Sequence, residues 1–218
     1  MKQPSRRQVG RYDLARSLSD RPQAWTSGHD VQFYENEEFL QTAVANFLSD
    51  GIRVGQPFIV IATSAHRKAF AARLRSMRIN PDDLVHARDA VWLDARETLS
   101  AFMEGGHPNA EMFEATVGNV FETLMRNRNY VIVRAYGEMV DLLWSEGKSD
   151  AAIELETLWN DLAARYSFSL LCAYSKETLS KDGARDIEAI CGQHTRVLPS
   201  EFDVRAPRAP RAPRAPLA

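Results

Sequence analysis

The chain has 218 residues, 44% hydrophobic and 26% charged, enough to bury a core and unlike a collagen, a coiled coil or a wholly disordered protein. Its net charge of −2 is uneven. Residues 1–28 hold six Lys/Arg against two Asp/Glu, residues 205–218 hold four Arg and no acid, and the body, 29–204, carries 17 bases and 27 acids. Such a body has little to neutralise phosphates, which argues against DNA binding by it and leaves any such role to the basic ends.

Residues 1–28, with Pro4, Pro22 and no sustained period, read as mostly disordered, with a helical turn near 12–18. VQFY (31–34) reads as a strand, followed by a helix whose apolar face is Phe39, Leu40, Ala43, Val44, Phe47 and Leu48, ending at Gly51. FIVIAT (58–63) is a continuous β-branched run, as in a strand covered on both faces. Thr63 and Ser64 can cap a helix carrying Phe70, Leu74 and Met77. VWLD (91–94) leads to a helix with Leu99, Phe102 and Met103, closed by Gly105-Gly106, and Phe113 to Met125 mark a longer helix. YVIVRA (130–135) is the second strongly apolar strand. It precedes a short helix stopping at Gly147 and a long one, capped by Ser149, that carries Leu155, Leu158, Trp159 and Leu162. FSLLCAY (168–174) is the third buried strand, Ile187, Ile190 and Cys191 lie on the last helix, and RAPRAPRAPRAPLA (205–218) is an extended, disordered tail. Strands alternating with helices predict an α/β fold, a three-layer sandwich around a mainly parallel sheet.

Two cysteines, Cys172 and Cys191, are too few for a disulfide framework and fit a reducing, cytoplasmic compartment. The basic N-terminus lacks the apolar stretch of a secretory signal, and no segment approaches 18 consecutive apolar residues, so no membrane span is expected.

Ligands of open α/β sheets bind beyond the carboxyl ends of the strands. There the chain places Thr63, Ser64, His66 and Arg67, then Asp94, then Arg134, Tyr136, Gly137 and Glu138, then Tyr174 and Ser175, which would form one mixed-charge pocket. The turn ATSAHRKAF, taken as the first strand-to-helix junction, has no glycine, and no G-K-[ST] occurs, so ATP hydrolysis by the usual phosphate loop is not expected. Glu156, Trp159 and Asn160 share a helix face. Glu156 either meets a ligand or pairs internally with Arg134, while Trp159 either lines the pocket or fills core. Cys172 reads as a small core hydrophobe rather than a nucleophile, and the histidines show no paired metal spacing; a site from His66, Glu138 and another His is the metal alternative.

HDVQFYENEEFL (29–40), GQPFIVIATSAHR (55–67), LDARETLSAFMEGGHP (93–108), VRAYGEMVDLLWSEG (133–147), AAIELETLWNDLA (151–163) and LLCAY (170–174) together resemble the MEDS domain, named after methanogens, methylotrophs and the DcmR regulator. The resemblance spans roughly residues 28–200. It implies a RecA/KaiC-like fold without the Walker A motif, no cofactor, and a module that senses a small molecule such as a hydrocarbon derivative or related metabolite. Carried over by position, its motif residues are His29, Tyr34, His66, Asp94, Arg134, Tyr136, Gly137, Glu138, Glu156, Trp159, Asn160, Cys172 and Tyr174, to which Arg67 is added from the strand-end reading. With no DNA-binding or kinase region recognised beside it, the module is expected to stand alone. Its output would then pass through a regulator or histidine-kinase partner or through a homodimer. The alternatives are a degenerate nucleotide- or metal-dependent hydrolase and a ligand-free interaction scaffold.

Overall fold

The computed structural model describes residues 27–128, 132–179 and 183–200. The expectations for residues 1–26, 130–131 and 205–218 lie outside these described residues.

Six parallel strands run in the order β3-β2-β6-β7-β1-β8: β1 (Gly28–Tyr34), β2 (Phe58–Ala62), β3 (Ala90–Asp94), β6 (Val133–Gly137), β7 (Phe168–Ser175) and β8 (Arg196–Val197). The helices are α1 (Glu37–Ile52), α2 (Ser64–Ser76), α3 (Pro81–His86), α4 (Ala95–Ser100), α5 (Ala110–Phe113), α6 (Asn119–Met125), α7 (Met139–Ser145), α8 (Ser149–Ala163) and α9 (Gly183–Gln193), with a π-helical turn over Glu114–Gly118 between α5 and α6. The α/β, mainly parallel reading is therefore correct.

Because strand side chains alternate, the sheet has two unlike faces. One presents Val31, Ile59, Ile61, Val133, Ala135, Leu170, Cys172 and Tyr174 to α4 through α9. The other presents Tyr34, Phe58, Val60, Ala62, Tyr136, Leu171 and Ala173 to α1 and α2. Every residue of β2 is fully buried, as its unbroken apolar run demands. Asn36 starts α1 by accepting from the Glu38 and Phe39 amides, and Thr63 starts α2 by accepting from the His66 amide.

Three local expectations differ. The helix through Phe102 and Met103 stops at Ser100; Met103–Glu104 (β4) and His107–Pro108 (β5) instead pair antiparallel. Gly105 and Gly106, with φ of 59° and 92°, make the two-residue turn that suits such a hairpin. Ser149 is the first residue of α8 rather than its cap, which falls at Lys148 without a side-chain bond. Finally, the junction at Thr63 is the second in the chain. The first is Tyr34–Asn36 between β1 and α1, also without glycine.

Candidate functional site

Most of the residues expected in one pocket fall into two groups, on opposite faces of the sheet, and the rest lie outside both. At the carboxyl ends of β2 and β6, His66 Nδ1 lies 2.5 Å from Glu138 Oε2 and its Nε2 lies 2.8 Å from Glu37 Oε2. The Thr63 amide donates to Glu138 Oε1, and the Tyr136 hydroxyl donates to Oε2 at 3.3 Å. Burial disfavours the His66 imidazolium, but the bond and charge of Glu138, then those of Glu37, outweigh it and raise its pKa to about 9. Burial, reinforced by Asp141, Glu37 and Glu138, pushes the buried Tyr34 phenol upward. Helix N-termini attract anions. Here the chain's own Glu138 carboxylate takes that place on α2, and Glu37 and Glu38 occupy the first turn of α1.

Arg67 and Asp94, also expected there, form a partly exposed ion pair at 2.7 Å. Gly137 ends β6, where an added β-carbon would meet Trp159 in ordinary contact. Arg134 is not part of this group and does not reach Glu156. It points to the face of α1, where its Nε donates to Gln56 Oε1 at 2.9 Å and its guanidinium lies 4.6 Å over the Phe47 ring. Trp159 is core: Phe113, Phe121 and Phe168 surround it with centroids 5.3, 6.3 and 6.0 Å away.

The second group lies on the opposite face, beneath α8 and α9, and gathers five of the expected residues. His29 Nε2 is 3.1 Å from Glu156 Oε2 and 3.4 Å from Cys172 Sγ. Cys172 Sγ is 3.5 Å from Glu156 Oε2, and the Tyr174 hydroxyl donates to Glu156 Oε1 at 2.7 Å. His29 Nδ1 faces Asn160 Oδ1 at 2.9 Å, while the Asn160 amide donates to the Gln193 carbonyl and side chain at the end of α9. The alternation of β1 and β7 creates the group: His29 and Cys172 share a face with Tyr174, and α8 lays Glu156 and Asn160 over them.

Burial opposes the Glu156 charge, but the facing His194 and His29 imidazoles hold its pKa down at about 2. Burial and that carboxylate push the Cys172 thiol well upward, so it is no thiolate nucleophile on this protein's own account. His194, which sequence reasoning did not place in any site, completes the group: its ring centroid is 4.1 Å from that of His29. It lies in an irregular stretch between α9 and β8, where no periodicity reveals a facing direction. The proposed metal trio of His66, Glu138 and another His is not assembled. Among the described residues the metal-type donors that converge are His29, Glu156, Cys172 and His194.

A cleft of about 200 Å³ opens beside this group, lined by Ser27, Gly28, His29, Asn160, Ala163, Tyr166, Ser167, Phe168 and Thr195. It lies at the amino ends of β1 and β7, opposite to where strand-end reasoning looks. No helix among the described residues is long and apolar enough to cross a membrane.

No curated protein matches the chain. Among solved structures it is similar to the flagellar accessory protein FlaH from Methanocaldococcus jannaschii, at 9% identity and a TM-score of 0.47, over 87% of this chain and 77% of that one. The family model described as the methanogen/methylotroph, DcmR sensory domain matches residues 28–194, and the chain belongs to this MEDS family of sensory domains.

Proposed function

We propose that the chain senses a small molecule that enters the cleft at the amino ends of β1 and β7, and that it signals through a regulator or kinase partner. The observation that carries this reading is the bond relay from His29 through Asn160 to Gln193. His29 and Asn160 both line the cleft, and Asn160 bonds Gln193 at the end of α9 while His29 holds Asn160, so a ligand that bonds to either one changes how α9 is held. A ligand shifts such an equilibrium only by its differential affinity for the two arrangements. About 200 Å³ is the liquid volume of six or seven waters, which suits a molecule of a few heavy atoms, such as a short hydrocarbon derivative bearing one polar group.

A thermal-shift panel of short halogenated and oxygenated hydrocarbons is expected to yield a stabiliser. Ala163 is exposed at the cleft rim, so Ala163→Trp fills the cleft without touching the core and should abolish that response. A variant responding like the parent would place the ligand elsewhere. The self-contained bonding of His66, Glu138 and Glu37 supports a second, local reading, in which the carboxyl end of the sheet is a fixed interaction surface rather than a ligand or phosphate site.

A further inference from the structure

We infer that His29, Glu156, Cys172 and His194 form a binding site for one divalent transition-metal ion of the zinc class.

The first support is geometric. A tetrahedral ion at ordinary Zn–N, Zn–O and Zn–S lengths separates its donor atoms by about 3.3–3.6 Å. His29 Nε2, Cys172 Sγ and Glu156 Oε2 are mutually separated by 3.1, 3.4 and 3.5 Å. His194 Nε2 is 3.4 Å from Glu156 Oε1, and the four donor atoms all lie within 4.8 Å of one another. Three donors thus already outline one face of a tetrahedron, and His194 Nε2 stands within 4.8 Å of each of them as the fourth.

The second support is the burial of His194. Its side chain is fully buried, and its Nε2 faces Glu156 Oε1 at 3.4 Å without completing a hydrogen bond to any described residue. Buried polar atoms are rarely left so, because the lost hydration is not replaced.

The third support is the arrangement around the donors. Metal-bound histidines usually donate the other ring N–H to a carbonyl or carboxylate, which fixes the tautomer. His29 directs Nδ1 at Asn160 Oδ1 and His194 directs Nδ1 at the Ile190 carbonyl, 2.6 Å away, so both Nε2 lone pairs point inward. Asn160 is itself oriented by Gln193, and Tyr174 donates to the Glu156 oxygen beside His194. A dication would face the Glu156 carboxylate directly and convert the Cys172 thiol to a thiolate ligand, its proton passing to solvent. Mixed imidazole, thiolate and carboxylate donors in tetrahedral array suit zinc among the common divalent ions, and His29, which borders the cleft, gives an ion its way in.

This inference goes beyond the sensory reading and does not depend on a ligand in the cleft. Its test uses the full chain, prepared without a histidine tag, stripped with a chelator, then titrated with Zn²⁺ or Co²⁺ alone. One equivalent should bind, and Co²⁺ should give tetrahedral ligand-field bands with a thiolate-to-cobalt charge-transfer band. Cys172→Ser should remove the charge-transfer band, and Glu156→Gln with His194→Ala should abolish uptake. Asn160→Ala leaves all four donors in place and should weaken zinc binding about 10–100-fold with an unchanged circular dichroism spectrum. Failure of the stripped parent to bind either ion, or a cobalt spectrum indifferent to Cys172→Ser, overturns the site. If the parent takes up neither ion yet is still stabilised by a small molecule through the cleft, this inference falls and the sensory reading stands.

Discussion

Among the described residues, Arg134 carries a charge into the interior without an ion-paired carboxylate. It is 1% exposed, and one terminal nitrogen, Nη2, is buried without a partner among those residues. Burial lowers its pKa, against the opposing pull of Asp50 and Asp30. Its stem is accommodated by Gly51, where any β-carbon would collide with Arg134 Cγ. An ordinary Gly→Ala change inside a helix gains about 0.5–1 kcal/mol, whereas overpacking costs about 1–3 kcal/mol, so Gly51→Ala should destabilise. The cause is separable by a double-mutant cycle in urea: in an Arg134→Ala background, Gly51→Ala should cost at least about 1 kcal/mol less. Strict additivity would show that the two residues do not compete for one space. Arg134→Met keeps the volume and removes the imperfectly bonded charge. It should be neutral or stabilising, as replacement of buried ionic groups by apolar ones of similar size often is.

Among the elements, α8 joins the apolar core to the buried polar group. Its apolar stripe of Leu155, Trp159 and Leu162 packs on the face of the sheet that presents Leu170, Cys172 and Tyr174, and one turn of it carries Glu156 and Asn160 over His29. Trp159→Ala should cost about 3–5 kcal/mol by opening a hole among three phenylalanines. Trp159→Phe should cost far less and leave the small-molecule response intact, since Trp159 does not line the cleft; loss of the response with a normal melt would reassign it to the ligand. Continuous burial made β2 and β7 readable from their apolar runs alone. His29 and Asp30 are buried yet polar, which hid the first half of β1, and two-residue β8 is too short to show any period. Leu99, Phe102 and Met103 satisfy a helical spacing, but the glycine pair bends the chain into a hairpin. The site residues were legible by type. Their grouping was not, because strand alternation says that Arg134 and Ala135 face opposite ways without saying which helices cover which face.

Across the whole molecule, the two titrating neighbours at the carboxyl end of the sheet tilt stability in the same direction. His66 is raised from 6.5 to about 9, so its contribution is complete below pH 6.5 and disappears as pH rises through 9. Asp141 is raised from 3.8 to about 6, chiefly by burial and despite bonds from the Ser175 amide and Thr178 hydroxyl. The folded state therefore holds the Asp141 proton more tightly than the unfolded chain does, and stability falls as pH climbs from about 4 through 6. At one unit per 1.36 kcal/mol, each shift corresponds to an effect of about 1–3 kcal/mol, taken below its full value because both side chains retain some solvent contact. Asp141→Asn keeps an oxygen for both donors and removes the ionisation. In urea titrations it should match the parent near pH 4 and exceed it by about 1–3 kcal/mol at pH 8. His66→Gln should erase the decline between pH 6.5 and 9 while leaving the lower one in place. Equal gaps between parent and Asp141→Asn at pH 4 and pH 8 would mean that the carboxyl ionises as freely in the folded protein as in the unfolded chain. The acid-side preference would then have to come from His66 and its two glutamates alone.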